Sequence, residues 1–264
     1  MNDNSVTPQP RSSSGRVLLV TGAAPYLGGP STWKPLRRAA PDFDFRELDL
    51  LDFPPGPDYV ADVKRAIGVE AEGCVAIVAH GTVAAIVLEA VQDARLTVPV
   101  LLLSPIAVTR DSLLRRLFRA LLRGPLGALL ASIALSKRRK LVLDTGYLRK
   151  QLALIVRDDA ITPDILDEAG LRVADPRMEV FCAHTPQTLL ALLTPTTAFE
   201  DFRGTALFGQ SLMDRKAHKR LRGEQLESAW SAPMIEAPEH VAARLRGVIE
   251  NISRFDDGNV IEAV

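Results

Sequence analysis

The sequence predicts an α/β fold, with a mostly parallel sheet flanked by helices. Three observations predict it. Apolar runs of strand length recur at Arg16–Thr21, Val75–Val78 and Val98–Ser104. Amphipathic stretches of helical period separate them, and strand–helix alternation of this kind argues for parallel strands covered on both faces. Small or turn-forming residues close the strands: Gly22, Gly81, Pro105 and Gly209. Ligand sites in such sheets lie at the carboxyl ends of the strands, so these positions mark the edge to watch.

Length and composition bound the reading. At 264 residues, 47% hydrophobic and 24% charged, the chain suits one large α/β domain with an insertion. Its net charge of zero gives no bulk attraction to nucleic acid. Cys74 and Cys182 form no C-x-x-C pair, which fits a reducing compartment. The polar N-terminus has no apolar signal-peptide core, so a cytoplasmic location is expected. His80, His184, His218 and His240 show no H-x-x-x-H spacing, and no phosphate-binding glycine motif occurs. Neither a metal nor a cofactor is therefore expected.

Taken in order, residues 1–15 are polar, with Pro8, Pro10 and several serines, and read as a disordered tail. Arg16–Thr21 is the first strand, running into Gly22-Ala23-Ala24-Pro25. Trp33-Lys34-Pro35-Leu36 opens a short helix. Phe45–Asp49 is the next strand, and Asp58–Ile67 a helix with Val60, Val63 and Ile67 on one face. Cys74 to Asp93 then reads as a buried strand, a sharp turn at Ala79–Val83 and a helix carrying Ala84, Ala85, Val87, Leu88 and Val91 at helical spacing. Val98–Ser104 is the next apolar strand, and residues 109–200 separate it from the rest of the sheet. The sheet resumes at Thr205–Gly209, a last strand lies near Gln225–Ala229, and Pro238 opens the terminal helix. The core is thus 16–108 together with 201–264.

The strand, tight turn and helix at 74–93 resemble the nucleophile elbow of the α/β-hydrolase superfamily, G-x-S-x-G. Overlaying that pattern puts Gly81 in the serine's place, between Ala79 and Val83. Thr21-Gly22 stands where the family usually writes His-Gly beside the oxyanion hole. The family's acid falls at Leu212 in Gly209-Gln210-Ser211-Leu212, with Asp214 two residues later. Its histidine, two residues before a proline and ahead of E-x-P, falls at Ser231 in Ser231-Ala232-Pro233-Met234-Ile235-Glu236-Ala237-Pro238. The resemblance thus implies a degenerate member, with Gly81, Leu212 and Ser231 in place of nucleophile, acid and base, and a helical cap at 109–200 inserted after the strand at 98–104 (an α/β-hydrolase fold). Gly22, Ala23, His80, Gly81, Thr82, Ser211 and Ser231 would line its pocket. Members of the fold without a working triad are known, the N-myc downstream-regulated family among them.

The insertion is strongly basic. Asp111–Arg123 reads as a helix with Leu113, Leu114, Leu117, Phe118, Leu121 and Leu122 on one half and Arg115, Arg116, Arg119 and Arg123 on the other. Gly124-Pro125 ends it, an apolar run follows, and then Lys137, Arg138, Arg139 and Lys140. From Arg110 to Arg157 twelve Lys or Arg face only Asp111 and Asp144, a net of +10. These residues form either a solvated helix face or a surface for an acidic protein partner or an anionic membrane.

Three functions fit. The first is a non-catalytic, ligand- or partner-binding pseudoenzyme holding a small apolar molecule or a protein. The second is a triad-less enzyme of the cofactor-free lyase or cyclase type, using His80, Thr82, Ser211 or Ser231 as hydrogen-bonding groups. The third is a hydrolase with displaced catalytic residues, which needs a nucleophilic oxygen or sulfur beside a histidine.

Overall fold

The computed structural model describes residues 15–21, 27–56, 58–106, 120–122, 124–186, 199, 202, 204–211, 214 and 223–256. Its centre is a six-stranded sheet in the order β2-β1-β3-β4-β5-β6, parallel throughout. The strands are β1 (Arg16–Thr21), β2 (Asp44–Leu48), β3 (Cys74–His80), β4 (Val100–Leu103), β5 (Thr205–Phe208) and β6 (Glu224–Gln225). The last strand is two residues long and precedes the predicted Gln225–Ala229. Leu226 N instead bonds to Phe208 O, and the chain turns away there.

Side chains alternate between two faces, as the strand period requires. Val17, Leu19, Ala76, Val78, Leu101, Leu103 and Leu207 share one apolar cluster with Trp33, Leu36, Val241 and Leu245. Leu18, Val20, Ile77, Ala79, Leu102 and Phe208 share the other with Tyr59, Val63, Ile67 and Val87. The covering helices are α1 (Pro30–Ala39), α2 (Tyr59–Glu70) and α3 (Ala84–Asp93). Helix α1 starts three residues before the predicted Trp33, because Pro30 sits in its first turn after Gly28 and Gly29, both at positive φ. Helix α2 is pinned by Tyr59, Val63 and Ile67 at four-residue spacing.

Between β4 and β5 the chain forms α4 (Pro125–Leu143), α5 (Thr145–Leu152), α6 (Pro163–Ala174) and α7 (Pro176–Ala183). Asp144, Thr162 and Asp175 cap the last three through their side chains. Leu141, Leu148, Leu152, Ile165 and Val173 join the same cluster as Trp33 and Leu36, so these helices pack onto the core directly. After β6 come the short α8 (Pro233–Glu236) and α9 (Pro238–Asp256), the latter beginning at the predicted proline. In the predicted 111–123 helix only residues 120–122 are described, and they are helical.

Candidate functional site

Parallel register brings the carboxyl ends of the central strands together. Thr21 pairs with His80, and His80 with Leu103. Trp33 Nε1 donates to Thr21 Oγ1 at 2.9 Å, which fixes the end of β1 against α1. Beyond His80 the chain turns through a 3-10 turn at Gly81–Val83 straight into α3. Gly81 has φ 73°, a left-handed conformation that glycine adopts without a Cβ penalty. Among the described residues no atom lies within 4 Å of where a Cβ would stand there. Ile106 N donates to Gly81 O at 3.2 Å and sets the loop after β4 beside the turn.

A second group of residues gathers on the loops after β4, β5 and β6. Asp214 is 2% exposed. Its Oδ2 accepts from Ser104 Oγ and Gly209 N, both at 3.0 Å. Its own N–H donates to Ser211 Oγ at 3.1 Å, and the hydroxyls of Ser211 and Ser231 stand near enough to favour its charged form. Burial pushes the carboxyl above the ordinary carboxylate range, and these four donors offset only part of that. Ser104 holds φ 45°, rare for a residue with a side chain, and its N–H donates to Leu207 O at 2.7 Å.

The loops after β5 and β6 zip together. Gln210 N reaches Ala229 O at 2.8 Å and Ser211 N reaches Trp230 O at 2.9 Å. A Cβ on Gly209 would stand 2.0 Å from Trp230 O, so this approach requires glycine. Glu236, the acid of the E-A-P motif, accepts from Trp230 N at 2.7 Å and Ala232 N at 3.0 Å through Oε2. Its Oε1 accepts from Arg157 N at 2.6 Å. The glutamate of this motif therefore anchors the loop that presents Ser231.

His80 joins the two groups. It is 5% exposed, and its Nε2 donates to Ser231 O at 2.9 Å. Burial lowers its pKa, and the bond to Ser231 O raises it by less, so the ring is neutral. Nδ1 is the unprotonated nitrogen and is buried with no hydrogen-bond partner among the described residues.

The structure thus brings His80, Gly81, Ser211 and Ser231 to one end of the sheet, with Thr82 half-buried in the adjoining turn. Gly22, Ala23 and Leu212 lie outside the described residues. Asp214, two residues beyond Leu212, is the carboxylate that meets Ser231. Sequence reasoning passed over Ser104 altogether. The signal was available: a serine closing an apolar strand, immediately before a proline. His184 faces the carbonyl of Val180, and His240 pairs with Glu224. Among the described residues no three His, Cys, Asp or Glu side chains gather as a metal site.

The expected basic face falls only partly within the described residues. Arg115, Arg116, Arg119 and Arg123 lie outside the described residues. Arg139 and Lys140 are exposed, but Lys137 is half-buried. Arg138 turns inward with its side chain 13% exposed, bonding Glu179 at 2.9 Å and the carbonyls of Ala174 and Asp175. Four consecutive helical residues spread over almost a full turn, so they cannot share one face. Arg138 supplies donors to the end of α6 instead.

Known structures share this architecture. The 2-hydroxy-6-oxo-6-phenylhexa-2,4-dienoate hydrolase from Rhodococcus sp. strain RHA1 is 16% identical, over 90% of this chain and 92% of its own, with a TM-score of 0.61. The epoxide hydrolase CorEH is 14% identical over 90% and 92%, with a TM-score of 0.60. A thioesterase domain from the curacin biosynthetic pathway is 11% identical over 88% and 91%, with a TM-score of 0.51. The chain therefore has the α/β-hydrolase fold. No family profile and no curated protein matches its sequence.

Proposed function

We propose that this chain is a non-catalytic α/β-hydrolase-fold protein that binds a small apolar molecule in the space above Gly81. One observation carries the reading: the elbow keeps its turn and its open space while the residue at its apex has no side chain. The neighbouring arrangement supports it. In this reading Ser231 stands in the base's place beside Asp214, and a serine hydroxyl is no general base. His80, the imidazole nearest the elbow, spends its Nε2 proton on a main-chain carbonyl. The helices between β4 and β5 would cap the bound molecule, and their apolar contacts with the core suit an apolar occupant.

The test has two arms. Purified protein incubated with chromogenic esters and a fluorophosphonate probe should show neither turnover nor labelled serine. Native mass spectrometry of protein taken directly from its source should show a copurifying small molecule. Stoichiometric labelling of one serine, with matching loss of activity, would overturn the proposal.

The triad-less enzyme remains the second reading. It draws on the convergence of Ser104, Ser211 and Ser231 around one buried carboxylate. Turnover that survives fluorophosphonate treatment but is lost in Asp214→Asn would favour it.

A further inference from the structure

We infer that the outer face of α4 docks on an anionic lipid bilayer. Helix α4 has nineteen residues, four of them basic and none acidic. Its inner side packs against α5, α6 and α7, with Leu141 buried and Arg138 held by Glu179. Its outer side is a single stripe. Leu129, Ile133, Ser136, Lys140 and Leu143 recur at helical spacing along it, flanked by Ser132 and Arg139. All seven are exposed, Leu129 at 55%, Ile133 at 52% and Leu143 at 86%.

Apolar side chains left in water on one side of a helix mark a contact surface rather than a core. The chemistry of the stripe selects its partner. The large apolar residues stand singly among serine and alanine, so they offer no continuous groove for a shaped protein surface. A fluid headgroup layer takes up isolated leucines and isoleucines without needing a matching shape. The exposed cations Arg139 and Lys140 then attract anionic headgroups, and α4 carries no carboxylate to oppose them. The nearest acid in sequence, Asp144, is engaged in capping α5 through Tyr147 N. No helix among the described residues is long and apolar enough to cross a membrane, so the contact is interfacial. This surface is independent of the elbow and of what binds there.

Cosedimentation of the full chain with phosphatidylcholine vesicles, with and without phosphatidylserine, over a salt series tests the inference. Binding should require phosphatidylserine and weaken as salt rises. Each cation near an anionic surface is worth about a factor of five in partitioning, so Arg139→Glu with Lys140→Glu should lower binding by at least about 30-fold. Leu129→Ser with Ile133→Ser should lower it by about tenfold or more, as removal of inserted apolar side chains requires. All four positions are exposed, so both variants should keep the wild-type circular dichroism. No cosedimentation, equal binding to vesicles lacking phosphatidylserine, or unchanged binding by either variant would overturn the inference. So would tight binding to soluble polyglutamate that Leu129→Ser with Ile133→Ser leaves intact, which would assign the face to an acidic protein instead.

Discussion

The Nε2 of His80 lies 2.9 Å from the main-chain oxygen of Ser231, so the last residue of β3 holds the loop that leads into α8. Either protonation state of the ring can donate this bond, and it is burial that keeps the pKa of His80 below its ordinary 6.5. Above that pH neither the folded nor the unfolded ring carries a proton. Below it the unfolded ring takes one up while the folded ring resists. Stability should therefore fall as pH drops below about 6.5. His80→Gln keeps a donor and cannot titrate, so it should flatten that part of the profile. Urea unfolding of both proteins at a series of pH values would check this.

Asp214 carries the opposite sign. Its folded pKa is raised, so the folded carboxyl binds a proton at a pH where the unfolded one has lost it. The stability this contributes is present at low pH and is lost as pH rises through the folded pKa. Asp214→Asn keeps an acceptor for Gly209 N and removes the buried charge, so it should be tolerated at neutral pH. Asp214→Ala should cost about 2–3 kcal/mol, because the Gly209 N–H is left buried without a partner and the serine hydroxyls must reorient. Equal losses in the two variants, measured by chemical denaturation, would refute this account.

The elbow predicts what restoring side chains can do. Gly81→Ala meets no atom of the described residues but must hold φ near 73°, so it should cost about 1–2 kcal/mol from backbone conformation. Gly81→Ser should cost the same and remain inert, since a serine, Ser231, stands in the base's place in this reading. Gly81→Ser with Ser231→His places an imidazole next to Asp214, which already meets residue 231. That double variant should react with a fluorophosphonate at residue 81 where the single variant does not. Adding Leu212→Asp should bring no further gain. Inertness of the double variant, with a crystal structure placing residues 81, 214 and 231 apart, would break the overlay.

Much of the architecture was legible because strand and helix periods differ so plainly. Val75–Val78 and the residues from Ala84 onward could not exchange roles. The E-A-P motif marked the loop at Ser231, where Glu236 caps Trp230 N and Ala232 N and so must sit at fixed spacing from them. Tertiary placement was not legible. Whether residue 212 or 214 turns inward depends on the path of a loop, which has no period to read. Ser104 stood out as a serine between an apolar strand and a proline, but its φ of 45° and its reach to Asp214 depend on residues distant in sequence. The inward turn of Arg138 follows from where α6 ends, and that is set by contacts distant in sequence.

The helices between β4 and β5 are held to the core by a ladder on α6, and its last rung gives the last prediction. Asp164, Glu168 and Arg172 are four residues apart and so share one face. They meet Lys34, Ser31 N and Asp49 respectively. Arg172 donates through Nη1 and Nη2 to the two oxygens of Asp49, both at 2.7 Å, with side-chain exposures of 9% and 27%. Burial pushes the Asp49 carboxyl up, but the bonds from Arg172 and from Leu51 N more than offset this, so its pKa is lowered. The stabilisation is present above the ordinary 3.8 and is lost as pH falls through the lower folded value. Arg172→Leu leaves a largely buried carboxylate without its partner and should cost about 3 kcal/mol. Adding Asp49→Asn removes that stranded charge, so the double variant should be more stable than Arg172→Leu alone, with a coupling energy of about 1–3 kcal/mol. Lys34 and Asp164 are 45% and 59% exposed, and Lys34→Ala should cost at most about 1 kcal/mol. Urea unfolding of the four proteins of the Arg172–Asp49 cycle decides the matter. Strictly additive losses would mean that the pair does not fasten α6 to the loop after β2.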